Sequence, residues 1–232
     1  MKERNTLGPI RTIILLLNYF AGYEFVYPYI FSEVLYGITG RYNIIMINAL
    51  IYGWTFIVTV IIAWPLIRYG WKKFWISFPQ NARRIVLSMV CLYGFTILAT
   101  MVVYQITGVP VSRNQMEINW YFRRQPLYVV MIACIFAPLV EECVFRGALQ
   151  GWLKSKGLAI LGIVISSVLF GFMHVAGEIF AGNMEELIYI LPYAGMGLVF
   201  GILYHKSDSV FCSMMLHLLN NAISMLLLVI WK

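Results

Sequence analysis

Three stretches of this chain contain no Asp, Glu, Lys or Arg: Tyr42–Ile67, Ile85–Ser112 and Ser209–Trp231. Each is long enough to cross a hydrocarbon core as a helix, which takes about 20 residues. In lipid, backbone N–H and C=O groups find no water and must bond within the chain. These runs therefore read as helices, being too long and too uniformly apolar for barrel strands. Composition agrees: 61% of the 232 residues are hydrophobic and 12% charged, with a mean hydropathy of +0.80. A soluble domain carries about 25% charged residues. The fold class is all-α, a polytopic membrane helix bundle.

About seven transmembrane helices are expected, within a range of six to eight. They fall near Thr12–Phe31, Asn43–Leu66, Ile85–Ile106, Pro126–Leu149, Leu158–Ala176, Leu187–Tyr204 and Val210–Ile230. Together they form a single integral membrane domain over 1–232, with no soluble domain, long linker or clear repeat. The start, Met1-Lys2-Glu3-Arg4 before the apolar Ile13–Phe20, has the outline of a signal peptide but no small-residue cleavage site. It is expected to remain as an uncleaved first span.

The net charge of +7 is not read as a nucleic-acid footprint. With the N-terminus in the cytoplasm, the cytoplasmic side collects Lys2, Arg4, Arg11, Arg68, Lys72, Lys73, Arg83, Arg84, Lys154, Lys156 and Lys206. The outer side collects Arg41, Arg113, Arg123, Arg124 and Lys232. That asymmetry is the one membrane insertion favours. Trp120-Tyr121-Phe122-Arg123-Arg124 reads as an amphipathic piece at the outer interface, and Trp71-Lys72-Lys73-Phe74-Trp75 reads the same way on the inner side. The cysteines Cys91, Cys134, Cys143 and Cys212 lie in apolar stretches without metal-knuckle spacing, and read as small buried hydrophobes. Gly195-Met196-Gly197-Leu198-Val199-Phe200-Gly201 supplies small residues for close helix packing.

Against this background Glu141, Glu142 and Arg146 are out of place. An ionisable group at mid-bilayer costs on the order of 2.5–3.5 kcal/mol, so three alone would approach roughly 10 kcal/mol. They must pair or line a wet cavity. Glu142 and Arg146 are four residues apart and share a face. Glu141 points about 100° away and has no local partner. Pro138 removes a backbone donor just before them and can loosen the helix. By the charge asymmetry this part of the fourth span lies near its cytoplasmic end. Glu24, in the first span, is a further intramembrane charge, read as structural.

Two other spans carry one-face polar stripes. Ser166, Phe170 and His174 share a face in the fifth, and Ser213, His217 and Asn221 share one in the seventh. As the spans are drawn, His174 falls near the outer end of its span, away from Glu141 and His217. A carboxylate beside a histidine can take a proton from water, and nearby donors can hold an oxyanion. Glu141, His174, His217 and Asn221 would supply those parts. Glu141, Glu142, His174 and His217 could instead hold Zn²⁺. Transport, proton relay or a structural clamp would also use buried charges of this kind.

The residues also carry a resemblance. Glu141-Glu142-Cys143-Val144-Phe145-Arg146-Gly147 resembles the EExxFRG motif of the CAAX endopeptidase and bacteriocin-processing (CPBP, or Abi) family of intramembrane proteases. Phe170 to His174 is similar to its FxxxH motif, and His217 to Asn221 to its HxxxN motif. The likeness covers roughly 126–224, the expected protease core, while residues before about 120 match no pattern. It implies hydrolysis of a peptide bond by a site sunk in the membrane and open to the cytoplasm. Glu141 and His174 would activate water, Arg146 would fix the carboxylates through Glu142, and His217 and Asn221 would hold the oxyanion. No tightly bound cofactor is expected, Zn²⁺ being the alternative. The expected partners are membrane lipids and a membrane-associated or exported peptide or protein substrate. The resemblance is closer to the bacterial branch, which places the chain in a bacterial plasma membrane; eukaryotic relatives cut prenylated C-terminal CAAX tails, and the resemblance leaves the substrate open between such peptides. The competing reading is a non-catalytic immunity or scaffold protein that keeps the fold without the chemistry.

Overall fold

The computed structural model describes residues 6–230. Met1-Lys2-Glu3-Arg4 and Lys232, used above for the leader and charge arguments, lie outside them. Every element among the described residues is helical. Among the described residues six helices are long and apolar enough to span a membrane: α1 (Pro9–Thr39), α2 (Ile44–Ile76), α3 (Phe78–Thr107), α5 (Pro126–Ser155), α8 (Met184–Ser207) and α9 (Val210–Ile230). Between them lie α4 (Arg113–Arg124), α6 (Ala159–Met173) and the short α7 (Ala176–Phe180). The protein is thus a polytopic helical membrane protein.

Helix ends follow local chemistry. The Asn43 side chain accepts from the Met46 N–H at 3.1 Å and starts α2; Ser112 accepts from Gln115 at 3.2 Å and starts α4. Gly40 and Gly108, at φ of 68° and 73°, end α1 and α3 in the left-handed conformation that glycine adopts without a side-chain clash. Outward faces of the long helices expose Ile61, Val90, Ile106 and Leu227, the surface that lipid would cover.

The structure differs from the sequence expectation in several places. The fifth span is only the 15 residues of α6, about 22 Å of helix against a hydrocarbon core of about 30 Å. The fourth continues past Leu149 to Ser155, so Glu141 sits near the middle of α5 and not near one end. Trp71–Trp75 is the end of α2, with Phe74 buried, and not a separate interfacial piece. The piece ending at Arg124 is a distinct helix, α4, and its Arg124 guanidinium lies 3.7 Å from the Trp120 ring centre. Of the four free cysteines Cys91 is exposed, because it sits on the outer face of α3.

At the centre α8 packs against α6 and α3, and small residues set the spacing. A Cβ on Gly171 would meet the Ala194 backbone nitrogen at 2.7 Å, and one on Gly197 would meet Ser167 Cα at 3.0 Å. At the far end of α5, Lys154 Nζ contacts Asp208 Oδ1 at 2.7 Å, in the turn between α8 and α9. Gly171→Ala is expected to destabilise the protein by about 1–3 kcal/mol, because backbone rather than a movable side chain blocks the new methyl. Gly94→Ala, where a Cβ meets nothing within 4 Å, should leave the thermal midpoint in detergent unchanged or raised.

Candidate active site

Helix α5 is not a regular α-helix. It widens to π-helical geometry over Ile132–Phe136 and again over Glu142–Gln150. Pro138 lies between the two wide segments and cannot donate a backbone hydrogen bond. In a π register its partner would be the carbonyl five residues earlier, that of Ala133. Asn221 on α9 fills that gap: its side-chain amide donates to the Ala133 carbonyl at 2.7 Å. The amide oxygen of Asn221 in turn accepts from Asn220 at 3.1 Å.

The second wide segment turns Glu142, Arg146 and Gln150 toward the interior, all with 0% exposure. Arg146 Nε lies 3.3 Å from Glu142 Oε2. That is a charge contact and not an aligned hydrogen bond, since neither atom has a hydrogen-bond partner. Arg146 Nη2 donates to the Gly197 carbonyl at 2.8 Å, and Gln150 donates to the Gly201 carbonyl at 2.9 Å. Gln150 escaped the sequence reading, although its place four residues beyond Arg146 was a signal. The guanidinium also lies over the Phe170 ring, 4.7 Å from its centre, where a desolvated cation is attracted to the ring face.

His217 joins the two carboxylates. Its Nδ1 is 3.2 Å from Glu142 Oε1, and its Nε2 is 4.0 Å from Glu141 Oε2. A carboxylate only accepts, so Nδ1 carries the proton and Nε2 faces Glu141. The ring stacks on Phe200 at 4.8 Å. His174 follows the same logic: Nδ1 lies 2.8 Å from the Phe170 carbonyl, which leaves Nε2 as the free nitrogen. Its ring stacks on Tyr193 at 4.5 Å, and the Tyr193 hydroxyl is held by Ser112 at 2.7 Å and Asn114 at 3.2 Å. Tyr193 was not foreseen, because a tyrosine in an apolar helix carries no sequence signature of a polar role.

The structure therefore joins Glu141, Glu142, Arg146, His217 and Phe170 in one network. His174 is part of it through the Phe170 ring, whose centre is 4.5 Å from that of His174 and 5.9 Å from that of His217. No hydrogen bond or ion pair joins His174 to Glu141. The depth mismatch noted above disappears because α6 ends at Met173 and delivers His174 within the bundle. Glu141 Oε2 is buried and has no hydrogen-bond partner. Glu24 lies on a π-helical stretch of α1, and among the described residues no hydrogen bond or ion pair joins it to Arg11 or Arg146.

The donor set does not fit a resident metal as it stands. Among the described residues no three His, Cys, Asp or Glu side chains converge in a metal-holding arrangement, and Glu142 is already engaged by Arg146 and His217.

Residues 123–223 match the family model described as type II CAAX prenyl endopeptidase Rce1-like, and all three polar patterns fall inside the match. The chain is 28% identical over 125 residues to YdiL of Bacillus subtilis (strain 168), covering 53% of this chain and 47% of that protein. It is 27% identical over 139 residues to the membrane-embedded CAAX protease MroQ of Staphylococcus aureus (strain USA300), covering 59% and 53%. It is 25% identical over 162 residues to the UPF0177 protein YvdC of Lactococcus lactis subsp. lactis (strain IL1403), covering 69% and 58%. The chain spans about half the length of these relatives. No solved structure matches it.

Arg146→Met should leave the Glu142 charge uncompensated and cost about 3–5 kcal/mol of stability. Glu142→Gln combined with Arg146→Met should cost less than the two single changes added together. A double-mutant cycle on thermal midpoints in detergent checks both.

Proposed function

We propose, from the premise that residues 123–223 belong to the Rce1-like CAAX prenyl endopeptidase family, that this protein is an intramembrane endopeptidase. It would hydrolyse a peptide bond in a membrane-associated or exported peptide, with 126–224 as its protease core. The observation that carries this reading is the contrast between the adjacent carboxylates. Glu142 is held by Arg146 and His217, whereas Glu141 Oε2 is buried with no hydrogen-bond partner. A carboxylate oxygen kept bare in a desolvated site is suited to accept a proton from water.

In the mechanism, Glu141 takes one proton from a water as its oxygen bonds to the scissile carbonyl carbon. His174 Nε2, its ring fixed by Tyr193 and by the Phe170 carbonyl, assists on the water's other side once substrate draws the two together. Asn221 stabilises the oxyanion with the second N–H that its amide keeps beyond the one given to Ala133, and His217, one turn away on α9, joins it when Nε2 also carries a proton. As the C–N bond breaks, the proton on Glu141 passes to the leaving nitrogen, so that one water is consumed per bond cut. Arg146 and Glu142 touch no reacting atom. They hold His217 and spread the buried charge.

The basic-residue asymmetry supports a cytoplasmic N-terminus, and the three bacterial relatives support a bacterial plasma membrane. The chemistry proceeds without a tightly bound metal, as a glutamate-type protease acting in lipid on peptide substrates and with no role for nucleic acid.

Glu141→Gln and His174→Ala, each present in the membrane at normal levels, should lower peptide cleavage by about 10²–10⁴-fold. If both retain full activity, the mechanism is wrong. Activity should also survive exhaustive chelation; recovery of a chelated, inactive enzyme by Zn²⁺ alone would establish a metalloprotease instead.

A further inference from the structure

Helices α1, α2 and α5 border a small, partly open cavity lined by Tyr19, Tyr23, Tyr52, Thr55, Phe136 and Glu141. Thr55 is 1% exposed, and its hydroxyl has no hydrogen-bond partner. That is unusual, because a helical serine or threonine ordinarily returns its hydroxyl to a carbonyl three or four residues earlier. Thr39, Thr107 and Ser167 do so here, at 2.7–2.9 Å. Among the described residues, the other buried hydroxyls without partners belong to Thr12, Tyr93, Thr96 and Tyr128, and none of them lines this cavity. Glu141 Oε2, also without a partner, does. Two residues with unpartnered buried oxygens lining one small cavity describe a seat for water, whereas an apolar cavity of similar size would stay dry.

We propose that this cavity seats the attacking water between Glu141 Oε2 and Thr55 Oγ1, making Thr55 a catalytic residue contributed from outside the family match. The inference rests on the hydrolytic reading above. Thr55 donates its O–H to one lone pair of the water oxygen. Glu141 accepts a water O–H, and the remaining lone pair forms the new bond to the carbonyl carbon. The proton moves from water to Glu141 and then to the departing nitrogen; Thr55 ends the cycle unchanged. The three tyrosine rings keep bulk water from competing.

The test uses the purified full chain in detergent and an internally quenched synthetic peptide, chosen from a panel as one that the wild type cuts. Thr55→Val keeps the shape and removes the hydroxyl, and Thr55→Ser keeps the hydroxyl. Thr55→Val is expected to lower kcat about tenfold or more with KM within about twofold, while Thr55→Ser keeps most of kcat. The Thr55→Val protein should melt at the same or a higher temperature, because it loses a buried hydroxyl with no partner. A structural role predicts the opposite pairing, with a lower melting temperature accompanying the loss of activity, and would overturn the proposal. So would equal impairment of the Val and Ser variants. Full kcat in Thr55→Val beside an inactive Glu141→Gln would overturn the Thr55 assignment alone. Absence of cleavage by the wild type across the panel would overturn the hydrolytic reading and the water seat with it.

Discussion

The ion contact between Glu142 and Arg146 is the interaction that the interior of this bundle is arranged to accommodate. Two full charges with 0% exposure would cost several kcal/mol each without compensation, and their mutual attraction offsets that only when the remaining polar valences are met. The bundle meets several of them from neighbouring helices. Gly197 offers its carbonyl to Arg146, His217 approaches Glu142 from α9, and Phe170 presents its ring face to the guanidinium. The glycines on α8 that look like packing residues thus have a second use. At Gly201 the missing side chain leaves room for Gln150, whose Oε1 a Cβ there would meet at 3.0 Å, and Arg146 and Gln150, four residues apart, bond to the carbonyls of Gly197 and Gly201, also four apart.

That arrangement depends on the irregular geometry of α5. Pro138 breaks the backbone ladder, the helix widens on both sides of it, and the orphaned Ala133 carbonyl is taken up by Asn221. The cost of a proline in a membrane helix is met by a side chain from a different helix, as hydrocarbon requires of any freed backbone group. Asn221 therefore links α5 to α9, and His217, one turn away, contacts Glu142 and faces Glu141.

The site is made at one depth because the helices are unequal. α6 stops at Met173 while α5 runs on in both directions from Glu141. His174 then lies at the tip of a short helix, where Phe170 and Tyr193 grip its ring. Tyr193 is tied to the start of α4 through Ser112 and Asn114, so a helix with the composition of an interfacial segment reaches the histidine through two contacts.

Much of this was legible in the sequence by itself. Charge-free runs dictate membrane helices because hydrocarbon leaves backbone groups no other partner, and the four-residue spacing of Glu142 and Arg146 dictates a shared face. The motifs around Glu141, His174 and His217 carry the resemblance to the family whose model matches residues 123–223. Tertiary structure decided the rest. A hydropathy pattern does not reveal that α6 is too short to span or that α5 is π-helical around Pro138, because both depend on hydrogen bonds and packing supplied by other helices. Nor does it reveal Thr55, Gln150 or Tyr193, ordinary residues whose polar atoms acquire a use only from what faces them. Spacing along a helix says which side chains share a face, but which faces meet, and at what depth, is set by the small residues that let helices approach and the buried charges that must find partners there.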